Sequence, residues 1–211
     1  MNIERLKDLA LFSLDDDVDE AGGLFPPSRY YAFFRRLAMD LKPKVSVVLG
    51  VCGGGDCHHL CLGNPDGRVH GIDISNDWPK QTEYLDKIHK NFMFWGGCDS
   101  INCIGTMKSL GLCSVNLLFI DTSHVASRAL AEFEAWKPLL APGAIVVFDD
   151  LLKTEMSGVW ESLPEPKVRL DLLHPGNPEV GGGFGVLIYN EAYKATGYAD
   201  EVKAPDYELG C

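Results

Sequence analysis

The chain contains no run of about 18 apolar residues, so no segment is long enough to span a bilayer as a helix. It also lacks an excess of positive charge. The formal net charge is -11 and the pI is about 4.9. An acidic surface repels phosphate backbones and anionic lipid, which argues against nucleic acid and membrane as partners. The opening "MNIERLKDLALFSLDDDVDE" has too short an apolar stretch and too many acids for a signal peptide, so a cytoplasmic location is expected. No CxxC pair occurs among the seven cysteines at 52, 57, 61, 98, 103, 113 and 211, and seven is an odd number. They read as reduced thiols packed as small hydrophobes. Cys57, His58, His59 and Cys61 lie close together but lack the spacing of a zinc site. Internal repeats are absent.

What remains is a rhythm. Short apolar runs at 44–50, 68–74, 92–95, 115–121 and 143–148 alternate with helical patterns at 28–42, 57–63, 79–91, 99–111 and 123–140. Continuous apolar strands separated by helices predict βαβ units, hence a parallel sheet covered on both faces. After Asp150 the rhythm changes. The strands 167–174 and 183–190 have no helix between them and predict an antiparallel pair at one edge. The expected fold class is α/β, a Rossmann-like doubly wound sheet. The expected organisation is an acidic, irregular lead-in or lid at 1–27, one domain at 28–190, and an acidic, mobile tail at 191–211.

In open parallel sheets ligands lie beyond the carboxyl ends of the strands. Here those ends are "LGVCGGGD" (49–56), Asp73, "WGGCD" (95–99), Asp121, and Asp149 with Asp150. A single strand-end Asp is most simply a turn or helix cap. So many at one edge of one sheet mark a site. The loop carries Gly50, Gly53, Gly54 and Gly55, spaced G-x-x-G-G-G. That is not the G-x-G-x-x-G dinucleotide fingerprint, and the Lys and Ser/Thr of a P-loop are missing. Asp73, at the end of the next strand, is placed to accept both ribose hydroxyls of an adenosine ligand.

The segments "VVLGVCGGGD", "VHGIDI", "LLFIDTSHVASRALAEFEAWKPLLAPGAIVVFDD" and "GFGVLIY" together resemble class I S-adenosylmethionine-dependent methyltransferases. More narrowly they resemble the small metal-dependent O-methyltransferases, the group of macrolide sugar O-methyltransferases and cephalosporin hydroxylase-like proteins. The resemblance implies seven strands with one antiparallel strand at the edge. It also implies S-adenosylmethionine as cofactor, Mg²⁺ or a similar divalent cation, and a homo-oligomer. Two places depart from the pattern: Val48 stands where the family has an acid that helps organise the cofactor's amino-acid end, and "DTSH" (121–124) stands where relatives often have Asp-Gly-Asp-His, with Asp121 and His124 kept at the expected places.

Methyl transfer requires the acceptor oxygen, methyl carbon and sulfur to be collinear, and the hydroxyl to lose its proton. A divalent cation can position that oxygen and lower its pKa. Asp121, Asp149 and Asp150 match the oxygen-ligand demand of Mg²⁺, and the resemblance assigns metal ligands to the same three. His124 is expected in the first turn of a helix capped by Ser123, where the dipole keeps the ring neutral as a general base. Asp121 and His124 are the candidate catalytic residues. Gly50, Gly54, Asp73, Cys98, Asp99 and Asp121 are the cofactor-binding candidates, with Trp95 as a stacking surface and Arg29 and Tyr30 closing over the site. The expected activity is O-methylation of a small hydroxylated molecule. The alternatives are a cephalosporin hydroxylase-like protein and a catalytically degenerate fold that binds a nucleoside.

Overall fold

The computed structural model describes residues 1–11, 29–76, 79–173 and 182–190. The expected tail at 191–211 and most of the expected lead-in, 12–27, fall outside these. In chain order the elements are α1 (Ile3–Leu11), α2 (Arg29–Leu41), β1 (Val45–Leu49), α3 (Gly55–Gly63), β2 (Arg68–Asp73), α4 (Pro79–Ile88), β3 (Phe92–Gly96) and α5 (Ile104–Ser109). They continue with β4 (Val115–Ile120), α6 (Ala126–Trp136), β5 (Leu140–Phe148), α7 (Ser157–Ser162), β6 (Lys167–Leu173) and β7 (Gly182–Ile188).

The seven strands form one sheet in the order β3-β2-β1-β4-β5-β7-β6. β1 to β5 pair in parallel, and β7 runs antiparallel to both β5 and β6. This is the Rossmann-like sheet with an antiparallel edge pair. β7 is the reversed strand and β6 the outermost one.

Period-two alternation divides the central strands between two cores. Val48, Leu117, Phe119 and Val147 face one layer, with Phe33, Phe34 and Leu37 of α2 and Leu60 of α3. Val47, Leu49, Leu118, Ile120 and Phe148 face the other, with Phe133 and Trp136 of α6. Phe34 packs 4.6 Å from the Phe119 ring and 5.3 Å from that of Phe184. Among the described residues each face of the sheet carries an apolar core.

Two expectations change. Residues 3–11 are helical rather than irregular, and Leu6 and Leu9 are buried in the first core. Arg5 fixes this helix to α2 through Asp40, at 3.1 and 2.6 Å. The helix expected over 99–111 begins only at Ile104, because Asp99 accepts the backbone N–H groups of Ile101 and Asn102 and forms a turn.

Candidate functional site

β1 lies between β2 and β4, so the strand order reverses there and a crevice opens beyond the strand ends. Gly50 and Asp121 are the residues immediately after β1 and β4. Gly50 has φ +84°, and a Cβ added there would stand 1.9 Å from the carbonyl oxygen of Asp121. Any side chain would force the two strand ends apart. Gly54, at φ +77°, precedes α3, and its added Cβ would lie 2.6 Å from Leu85 Cδ1. The loop between them is held by Asp73. Its Oδ2 accepts the N–H groups of Val51 at 2.8 Å and Cys52 at 3.1 Å, and its Oδ1 accepts Ser75 N–H at 2.8 Å. A carboxylate offers about four acceptor positions, so roughly one remains for a ribose hydroxyl rather than enough for two.

The acids beyond β4 and β5 have different surroundings. His124 Nδ1 is hydrogen-bonded to Asp150 Oδ2 and lies 3.8 Å from Asp121 Oδ1. Lys153 Nζ sits 2.5 Å from the same Asp150 oxygen, and Gly182 N–H donates to Asp150 Oδ1 at 2.7 Å. Burial pushes the Asp150 carboxyl up, but the His124 and Lys153 hydrogen bonds outweigh it and hold it at about 2. Asp149 is turned elsewhere. Its Oδ2 accepts the Tyr30 hydroxyl at 2.8 Å, and its Oδ1 is buried without a hydrogen-bond partner. Burial and the neighbouring Asp150 charge raise Asp149 to about 6. Asp121 is raised well above the carboxylate range, first by desolvation and then by Asp149, Asp56 and Asp150.

The residues whose ligand atoms converge are therefore Asp121, His124 and Asp150, all within 4.8 Å of one another. Asp149, expected with the metal ligands, is bonded to α2 instead. The position of His124 also differs from expectation. α6 begins at Ala126 with Val125 as its cap residue, and His124 precedes the helix at φ +54°. This left-handed turn delivers the imidazole to Asp150 before the helix begins. Cys52 and Asp150 share that unusual conformation, at φ +45° and +58°. Each such residue costs about 1–3 kcal/mol and persists only where its surroundings enforce it.

Cys98 and Asp99 lie past β3, on the far side of β2. Cys98 N–H donates to the Asp73 carbonyl at 3.0 Å, which joins that loop to the site. Asp99 is engaged structurally. Its Oδ2 accepts from Arg128 of α6 at 2.7 Å, and Arg128 also binds Ser100 and the buried Glu132. Burial raises Asp99, but its backbone donors and Arg128 leave it below its ordinary value. Trp95 donates from Nε1 to His70 Nδ1 at 3.2 Å and packs against the second core. Of the two closing candidates, Tyr30 reaches Asp149 and the Arg29 side chain lies outside the described residues.

Two residues here were not among the expected ones. Lys153 is one, three residues past Asp150 in a stretch without a readable pattern. Asp56 is the other. It lies in the first turn of α3 with 6% of its surface exposed, and its Oδ2 has no hydrogen-bond partner. Burial raises its carboxyl to about 7. The signal was an acid directly after three glycines.

No curated protein matches the chain. Several solved structures share its fold. One is the O-methyltransferase TomG of Streptomyces achromogenes, involved in tomaymycin synthesis and solved with S-adenosylmethionine. It is 16% identical, covers 90% of this chain and 99% of its own, and gives a TM-score of 0.66. An O-methyltransferase from Bacillus cereus, solved with S-adenosylhomocysteine, is 15% identical over 88% of this chain and 90% of its own, with a TM-score of 0.61. A methyltransferase from Geobacter sulfurreducens is 16% identical over 83% and 93%, with a TM-score of 0.61. At such identities the likeness concerns the fold. Among the described residues no helix is long and apolar enough to cross a membrane. Residues 47–151, which span the glycine loop, Asp73, Asp121, His124, Asp149 and Asp150, match the family model described as a methyltransferase domain, and the sheet around them is the Rossmann-like methyltransferase fold.

Proposed function

We propose that the protein methylates a hydroxyl group of a small molecule, with S-adenosylmethionine as methyl donor. The observation that carries this reading is the His124–Asp150 pair at the mouth of the Gly50 crevice. The methyltransferase-domain match supports the cofactor, and the O-methyltransferase neighbours support the acceptor class. Gly50, Gly54, Asp73 and the Cys98 loop are the cofactor-binding surface of this reading. Bound there, the cofactor supplies an electrophilic methyl group on sulfur.

His124 is the general base. Asp150 accepts a hydrogen bond at Nδ1, which leaves Nε2 to take the proton from the substrate hydroxyl. The Asp150 carboxylate then stabilises the imidazolium, as a buried carboxylate does in other His–Asp pairs. Asp150 keeps its negative charge for this role across the ordinary pH range, since it is held at about 2.

The donor set also fits a divalent cation. Asp121, His124 and Asp150 bring two carboxylates and an imidazole within reach of one ion, and with that ion held His124 would be a ligand rather than the base. Such an ion would supply positive charge that lowers the pKa of the substrate hydroxyl. A second, metal-free reading has its own observation: Lys153 Nζ stands at 2.5 Å from Asp150 Oδ2, where an ammonium already balances that carboxylate.

Calorimetry with S-adenosylmethionine, with and without Mg²⁺, tests the cofactor. No binding under either condition sinks the methyltransferase reading. A panel of phenols and sugars, assayed for methylation, identifies the acceptor. Turnover that persists in EDTA decides for the metal-free reading. For His124→Ala the rate should fall and partly recover at higher pH, whereas an unchanged pH profile removes the base.

A further inference from the structure

His124 keeps a left-handed backbone at φ +54°, which a non-glycine residue holds only where its surroundings enforce it. The chain is pinned on either side of it. Upstream, Asp121 N–H donates to the Leu49 carbonyl at 2.8 Å. Downstream, the Val125 carbonyl accepts the N–H groups of Arg128 and Ala129, both at 3.0 Å, as α6 begins. Val125 gives that helix no side-chain cap. Between the two pins, Thr122 Oγ1 donates to Glu132 Oε2 at 2.8 Å.

Glu132 is fully buried in α6. Its Oε1 accepts Arg128 Nε at 2.9 Å and Ser100 Oγ at 2.5 Å. Arg128 Nη2 reaches Asp99 Oδ2 and Ser100 Oγ, each at 2.7 Å, and Trp136 Nε1 donates to the Ser100 carbonyl at 2.8 Å. One carboxylate therefore ties the loop after β3 to the turn after β4. A buried charge with several donors is fixed in place, because any departure leaves a polar group unsatisfied. Arg128 already balances the Glu132 charge, so Thr122 is not needed to neutralise it. What its hydroxyl adds is a fixed position for residue 122, next to Asp121 and two residues before His124. The loop after β3 reaches the glycine loop as well. Cys98 N–H donates to the Asp73 carbonyl at 3.0 Å, and the Asp73 carboxylate holds Val51 and Cys52.

We propose that Thr122 and Glu132 are positioning residues for the base. The buried carboxylate draws the Thr122 hydroxyl towards α6 and so holds the left-handed turn that aims His124 Nδ1 at Asp150. The proton then stays on Nδ1, and Nε2 is kept as the acceptor for the substrate hydroxyl. This rests on the methyltransferase reading for what His124 does, and it names two residues which that reading alone does not require. Without the Thr122 hydroxyl the turn is free to relax, and the imidazole takes up more than one orientation and tautomer.

Two measurements on the full chain test this. Long-range ¹H–¹⁵N spectra of the histidine rings, at one alkaline pH, read the tautomer of His124, whose signal is assigned by its loss in His124→Ala. The wild type should show a single tautomer with the proton on Nδ1. Thr122→Val keeps the shape and removes the hydroxyl, so that single state should be lost to mixed or exchange-broadened nitrogens. Thr122→Ser, which keeps the hydroxyl, should restore it. Calorimetry with S-adenosylhomocysteine should give the same affinity for all three proteins. A Thr122→Val spectrum identical to that of the wild type overturns the proposal. So does a Thr122→Ser protein that behaves like Thr122→Val, since the effect would then be one of packing, and so does a Thr122→Val protein that loses S-adenosylhomocysteine together with the His124 signal. If the wild type binds no S-adenosylhomocysteine, the methyltransferase reading falls, whereas the spectra still decide whether Thr122 holds the turn. Should Thr122→Val not fold, Thr122→Ala removes the same hydroxyl.

Discussion

Asp56→Asn should stabilise the cofactor-free protein at neutral pH, although it removes a buried polar interaction. The wild-type carboxyl is raised from 3.8 to about 7 by burial. At about 1.4 kcal/mol per pH unit, ionised Asp56 therefore opposes folding by about 4 kcal/mol above pH 7. The sign follows from which state holds the proton. A carboxyl whose folded pKa lies above its unfolded value binds more protons in the native state. Its penalty is nearly absent below about pH 4, grows as pH rises towards 7, and is constant beyond. Asparagine keeps the shape and has no charge to desolvate. Its NH₂ group, however, lacks an acceptor there, which costs about 1–3 kcal/mol. The balance is a gain of about 1–3 kcal/mol for the variant at pH 8 and a loss of similar size at pH 4.

Urea denaturation of both proteins at pH 4, 6 and 8 reads this crossing directly, as a difference in midpoints at equal m-value. A variant less stable than the wild type at pH 8 would refute the reasoning. So would a difference that does not change with pH, since the effect would then come from packing and not from charge.

Tyr30→Phe removes the donor to Asp149 Oδ2 and should cost about 1.5–3 kcal/mol at pH 8. The Tyr30 hydrogen bond lowers Asp149, which stands at about 6, so its loss raises that pKa further and the destabilisation should shrink towards pH 4. Paired urea titrations at the two pH values check it, and equal losses would contradict it. Arg128→Met leaves Glu132 buried without its guanidinium and should cost about 3–5 kcal/mol, with much of the loss recovered in the Arg128→Met/Glu132→Gln double variant, as melting temperatures would show. Gly50→Ala combines a φ of +84° with a Cβ 1.9 Å from the Asp121 carbonyl. The conformation alone should cost about 1–3 kcal/mol, and calorimetry should find cofactor binding abolished because the two strand ends must separate.

The sheet was legible because its strands are buried on both faces. Runs such as "VSVVL" and "VNLLFI" have no polar alternation to mistake for an edge, and each is followed by a turn signal. α1 was not legible for the opposite reason. It is a nine-residue helix with Glu4, Arg5, Lys7 and Asp8 around only two buried leucines. What makes it part of the core is a long-range contact, the Arg5–Asp40 pair and the packing on α2 and β6, and no local pattern encodes that. The start of α6 failed on the same scale. Thr122 and Ser123 look like capping residues, but Thr122 Oγ1 donates to Glu132, and the chain turns through left-handed His124 before the helix begins.

In the site, positions were readable and partners were not. A strand-end acid can be seen in a sequence, since the fold decides which end is open. Which oxygen meets which donor depends on elements far apart in the chain. Asp149 and Asp150 are adjacent, yet one bonds Tyr30 of α2 and rests at about 6, while the other bonds His124 and Lys153 and rests at about 2. Both follow the end of β5, and Asp150 turns left-handed at φ +58°, so two neighbouring carboxylates enter different surroundings.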